Sequence, residues 1–129
     1  LVPELASSYY LIARTGFGRG NELMLTGGTI SAEQALEYRL IDRLVDEPGE
    51  LLQTAQSVAR SMGENPPSAL RMVKELVTAN MAEPDIKKVQ QREGIALAEC
   101  YKSPEHHEAI DAFLEKRPPD FKKARQPKP

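Results

Sequence analysis

The chain has 129 residues, 40% hydrophobic, 28% charged and 5% aromatic with no Trp, a profile that suits one domain of exposed amphipathic helices more than a β-sandwich. A formal net charge of -2 gives no electrostatic case for a nucleic-acid partner or a general membrane affinity. A single cysteine, Cys100, excludes an internal disulfide and fits a reducing, cytoplasmic compartment, while no apolar run approaches the roughly 18 residues that span a bilayer.

In chain order, Leu1-Val2-Pro3-Glu4 leads at once into a predicted helix from Leu5 to about Arg14. Glu4 therefore stands directly after a proline at a helix entry. An acid there is a candidate for general acid/base work, or a first-turn residue that complements the helix dipole. Thr15-Gly16 closes this helix, and Phe17-Gly18-Arg19-Gly20 opens a second that Gly27-Gly28 stops. The Gly16-x-Gly18-x-Gly20 spacing is not that of a dinucleotide loop and follows a helix, so it reads as a turn between helices. Ser31 and Gln34 form a predicted capping box for a third helix burying Ala35, Leu36 and Leu40. Residues 41–46 read as a short strand or extended link, punctuated by Pro48-Gly49.

Beyond that point Leu51, Leu52, Ala55, Val58, Ala59 and Met62 share a helical face ended by Gly63. Pro66-Pro67-Ser68 starts the next helix, striped by Ala69, Leu70, Val73, Leu76 and Val77. After Pro84 a further helix carries Ile86, Val89, Ala96, Leu97, Cys100 and Tyr101. Ser103-Pro104-Glu105 caps a last helix, predicted to bury Ile110, Phe113 and Leu114. From Pro118 the proline- and lysine-rich tail, residues 118–129, is expected to be extended or disordered. His106 and His107 are adjacent and diverge on a helix, which gives no metal site. Cys100, Ser7 and Ser8 lack the neighbours of a nucleophile. Residue patterns alone thus describe a mainly α chain whose stripes must be buried against something, which suggests an oligomer or a missing half; taken alone it reads as a helical oligomerisation module without chemistry of its own.

The ordered set of segments resembles the C-terminal portion of an enoyl-CoA hydratase/isomerase of the crotonase family. The segments are Leu1-Val2-Pro3-Glu4-Leu5-Ala6-Ser7-Ser8-Tyr9, Gly18-Arg19-Gly20-Asn21-Glu22-Leu23-Met24-Leu25-Thr26-Gly27 and Ile30-Ser31-Ala32-Glu33-Gln34-Ala35-Leu36. They continue with Leu40-Ile41-Asp42-Arg43-Leu44-Val45, Pro67-Ser68-Ala69-Leu70-Arg71-Met72-Val73-Lys74 and Phe113-Leu114-Glu115-Lys116-Arg117-Pro118-Pro119-Asp120-Phe121.

The resemblance implies the C-terminal helical part of a crotonase (ClpP/crotonase-like) fold, with the spiral ββα core largely missing. Residues 1–46 would be a remnant of that core and 47–117 a C-terminal helical oligomerisation region. It implies an acyl-CoA thioester substrate in fatty acid metabolism, no cofactor beyond the coenzyme A that the substrate carries, and a homotrimer or hexamer. Two backbone N–H groups form the family's oxyanion hole, and carboxylates move protons. Glu4 matches the proton carrier of many isomerase-like members, whereas the two-acid hydratases have glycine there. The chain departs from the usual pattern at Leu5-Ala6, where a small residue and then glycine are common. Phe113 and Lys116 match residues that contact the adenine and phosphates of coenzyme A. Their alternatives are a core phenylalanine and a solvated cation at a helix end.

Without an initiator Met, and without the oxyanion-hole segments or an upstream glutamate, this chain is expected to be catalytically silent alone, whatever its parent does. Each missing oxyanion donor is worth roughly 2.7–4 kcal/mol. Thioester hydrolysis, dehalogenation and ring-forming condensation stay open within the family.

Overall fold

The computed structural model describes residues 2–126; Leu1 and residues 127–129 of the expected tail lie outside the described residues. The chain divides into two compact units, residues 1–54 and 55–129. Among the described residues every regular element is helical, and no helix is long and apolar enough to cross a membrane.

The first unit contains α1 (Ser7–Thr15), α2 (Phe17–Thr26) and α3 (Ala32–Glu37), then a 3-10 turn at Pro48–Glu50 and the start of α4 (Leu51–Gly63). Helices α1 and α2 pack as a hairpin about Gly16, whose φ of 81° is readily available only to glycine. Its N–H closes α1 on the Ile12 carbonyl. Gly20 is the point of closest approach. A Cβ there would lie 2.7 Å from Ile12 Cδ1 and 2.9 Å from Thr15 Oγ1. The glycine spacing thus serves a turn and a helix contact.

The α3 capping box forms as the sequence predicts. Ser31 Oγ accepts from the Gln34 N–H, and the Ser31 N–H donates to Gln34 Oε1. Of the three residues expected to be buried there, Ala35 is buried, Leu40 is partly covered and Leu36 is exposed. Two arginines tie α3 and the following link to the hairpin. Arg14 reaches Asp42 at 2.8 Å and the Leu40 carbonyl at 3.1 Å. Arg19 pairs with Glu37 at 2.9 Å and lies 4.3 Å from the centre of the Tyr38 ring. The segment 41–46 is an irregular link; these side-chain contacts fasten it without a ladder of backbone hydrogen bonds.

The second unit holds most of α4, then α5 (Pro67–Asn80), α6 (Ile86–Tyr101), α7 (Pro104–Leu114) and α8 (Phe121–Ala124). Helices α5 and α6 pack together. Their connection is pinned by Arg92, which donates to Asn80 Oδ1 and pairs with Glu83, both at 2.9 Å. Ser103 caps α7 by accepting from the His106 N–H at 3.1 Å, with Pro104 in the first turn. Within the tail expected to be extended or disordered, residues 118–120 are irregular, but Phe121–Ala124 form a helical turn, which departs from that expectation. Asp120 accepts from the Lys123 N–H at 3.0 Å and supports the single turn of α8.

The core is small. Ala35 and Ala112 are the buried hydrophobic side chains among the described residues. Ile110, Phe113 and Leu114, expected inside, are outside, with Phe113 81% and Leu114 72% exposed. The physical reason is geometric: where α7 meets α6 and α8, the apolar side chain it buries is the small Ala112, beside the polar Glu105. Helical period chooses which residues share a face, but not whether the chain supplies anything to cover it.

Candidate functional site

Glu4 lies before α1, in the first unit. Its carbonyl accepts from the Ser7 N–H at 2.9 Å, forming a tight turn. That turn puts Leu5 and Ala6 in the left-handed region, with φ of 54° and 58°. The first turn of α1 holds no acid; Glu4 precedes the helix and is exposed. Left-handed backbone costs an L-residue roughly 1–2 kcal/mol. Ala6 adopts that backbone although it is not glycine.

The second group of expected site residues is at the other end of the sequence. Helix α7 closes with a Schellman motif. The Arg117 N–H donates to the Ala112 carbonyl at 3.0 Å and the Lys116 N–H to the Phe113 carbonyl at 3.3 Å. The left-handed position of that motif is normally glycine; here it is Lys116, with φ of 55°. Phe113, one turn earlier, is exposed in this chain.

Around this turn is a charge cluster that sequence reasoning did not identify. The Arg117 guanidinium contacts both oxygens of Glu108, with one arm at 3.2 Å, and its Nε donates to Glu115. The Asp120 N–H adds a donor to Glu108 at 2.7 Å. Arg117 first, and that N–H second, hold the Glu108 carboxyl at about 2, well below the ordinary value. The same pairing raises Arg117 further above its ordinary value. Among the described residues no carboxylate lies within ion-pair distance of the Lys116 ammonium.

Glu105 was also missed, being read only as part of a helix start. It is 2% exposed, accepts from the Ser68 hydroxyl of α5, and faces Arg125 Nε at 3.2 Å. These partners are distant in sequence, so no local pattern announces them. Along α5 and α6 run two shallow apolar grooves of about 350 and 290 Å³, sharing Met72, Leu76 and Ala96.

The chain carries a carboxylate beside an unusual turn and, in its second unit, an exposed aromatic three residues before a cation that has no ion-pair partner among the described residues. Comparison with known proteins gives these a context. The sequence profile described as Enoyl-CoA hydratase/isomerase matches residues 1–125. The chain belongs to that family. It is 31% identical over 117 residues to the short-chain-enoyl-CoA hydratase of Clostridium acetobutylicum, covering 91% of this chain and 44% of the relative. It is 34% identical over 124 residues to the 1,2-epoxyphenylacetyl-CoA isomerase of Escherichia coli, covering 94% and 45%. The structure superposes on an enoyl-CoA hydratase from Bacillus anthracis with a TM-score of 0.87 and 31% identity, over 95% of this chain and 46% of that one. The chain therefore spans less than half the length of these relatives. Its helices are the C-terminal helical part of the crotonase fold.

Proposed function

We propose that this chain works within an enoyl-CoA hydratase/isomerase that processes acyl-CoA thioesters, with Glu4 as the proton carrier. The family match over residues 1–125 carries the reading. The two relatives, one a hydratase and one an isomerase, are both named for acyl-CoA compounds. In a double-bond shift, the Glu4 carboxylate takes a proton from the carbon beside the thioester carbonyl and returns it further along the acyl chain. The enolate formed between these steps needs an oxyanion hole, which residues beyond these 129 would supply. Positioned general acid/base catalysis contributes about 10²–10⁴-fold.

Phe113 and Lys116 would contact the adenine and phosphates of coenzyme A, the ring by stacking and the ammonium as a point charge. No cofactor is needed beyond the coenzyme A carried by the substrate. A single cysteine supports a cytoplasmic setting.

The test of the central assignment is Glu4→Gln in the enzyme that carries this chain. Enoyl-CoA isomerisation should fall by about 10²-fold or more; an unchanged rate would remove Glu4 from the mechanism. The 129-residue chain itself, verified by intact mass, should show no turnover, because the oxyanion hole is usually the largest single contribution.

A second role, helical oligomerisation as a homotrimer or hexamer, is favoured by the exposed apolar residues Val73, Val77, Ile95 and Leu97 on α5 and α6. Sedimentation decides it: a strictly monomeric, well-folded chain would argue against assembly.

A further inference from the structure

The turn that ends α7 contains two adjacent cations with opposite circumstances. Arg117 is committed: its guanidinium is shared between Glu108, Glu115 and the Pro118 carbonyl. Lys116 has no ion-pair partner among the described residues, and its backbone adopts the left-handed conformation that glycine would take without strain. A side chain is kept at such a position only when its surroundings over-determine the backbone.

Here the surroundings are explicit. Glu108, one turn into α7, binds the residue after Lys116 through its side chain and residue 120 through its backbone N–H. Residues 117 and 120 are thereby tied to a single carboxylate, and Lys116, exposed, lies in the turn between α7 and these contacts. Arginine is the better fork for a phosphate, yet this arginine is already engaged by carboxylates. The division of labour is therefore between a cation that builds the turn and a cation that the turn displays.

We propose that Glu108 and Arg117 are positioning residues for the coenzyme A contact of Lys116, holding the turn that displays its ammonium. This rests on the assignment of Lys116 to the coenzyme A phosphates. Neither residue touches the substrate; their effect passes through the backbone of residues 115–117.

The experiment compares one enoyl group carried on coenzyme A and on N-acetylcysteamine, which has neither phosphates nor adenine, in the enzyme that carries this chain. Lys116→Ala should raise KM for the coenzyme A thioester by about tenfold at nearly constant kcat. Glu108→Gln and Arg117→Lys should each raise it about three- to tenfold. All three should match the wild type on the truncated thioester. If Lys116→Ala leaves KM unchanged, the phosphate assignment fails and takes this inference with it. If Lys116→Ala acts while Glu108→Gln and Arg117→Lys do not, the assignment stands and the positioning role is overturned. Equal losses on both thioesters, including those of a poorly folded variant, would mark a general structural role and also overturn it.

Discussion

Arg125 Nε lies 3.2 Å from Oε1 of Glu105, joining α8's end to a carboxylate buried at the start of α7. Ser68 of α5 donates its hydroxyl to the other oxygen of the same carboxylate. One buried charge thus gathers three elements of the second unit, where large apolar side chains supply little burial. A buried carboxylate deprived of a donor retains its desolvation cost, about 1–3 kcal/mol and more for a charged group. Ser68→Ala should lower the unfolding free energy by about 1–3 kcal/mol in urea melts. Arg125→Ala should add to it non-additively, since both act on one carboxylate. Strictly additive effects would contradict the shared-carboxylate arrangement.

Glu108 makes a prediction about acid. Its carboxyl titrates near 2 in the folded chain, held down by Arg117 and then by the Asp120 N–H, with Lys123 adding a smaller attraction. The folded value lies below the unfolded one, so Glu108 contributes stability that is fully present above the ordinary carboxylate value near 4.5. That contribution is lost as pH falls from about 4.5 through about 2. Glu33, lowered by Ser31, and Glu83, lowered by the Asp85 N–H, act in the same direction. Glu108→Gln should be less stable than the wild type at pH 7, with the gap closing toward pH 2. A carboxyl resonance of Glu108 titrating near the ordinary value would refute the clamp.

The helices themselves were legible because their signals are local. The Ser31 capping box, the Ser103-Pro104 start and the Gly16 stop each act within four residues, and each forms as read. The family membership was legible because distinct segments match the family in order and spacing along nearly the whole chain. What stayed hidden depends on distant partners. Glu105 and Ser68 are 37 positions apart, and the Glu108–Arg117 pair bridges a helix end nine positions long. Lys116 and Arg39 adopt left-handed backbone at helix ends where glycine would have announced it. Periodicity also misjudged burial at Phe113 and Leu114, because a stripe records a face and nothing about its cover.

Gly20 offers a test of the α1–α2 hairpin. A methyl group there meets not only the mobile end of Ile12 but also Ile12 Cα at 3.3 Å, so rotamer changes cannot relieve every contact. Gly20→Ala should therefore destabilise the chain by about 1–3 kcal/mol, the usual cost of overpacking. Gly18→Ala is the control, since a Cβ there meets nothing within 4 Å. On a helix that substitution should be neutral or stabilising by up to about 1 kcal/mol. Equal behaviour of the two variants in thermal melts would mean that the helices do not approach at Gly20.

Lys116→Gly separates stability from function at a single residue. Relief of left-handed strain gains about 1–2 kcal/mol, offset by roughly 0.5–1 kcal/mol for the greater freedom of glycine in the unfolded chain. The net expectation is a stabilisation of about 0.5–1 kcal/mol, seen as a raised urea midpoint at unchanged m. The same change deletes the ammonium, so in the active enzyme KM for a coenzyme A thioester should rise as it does for Lys116→Ala. Ala6→Gly, at the turn beside Glu4, should give a similar gain in stability with no effect of this kind on coenzyme A binding. A lysine retained at a strained position, and replaceable by a stabilising glycine only with loss of substrate affinity, would be kept for its charge. A Lys116→Gly variant that is stabilised and keeps the wild-type KM would show instead that the exposed ammonium after α7 has no part in binding.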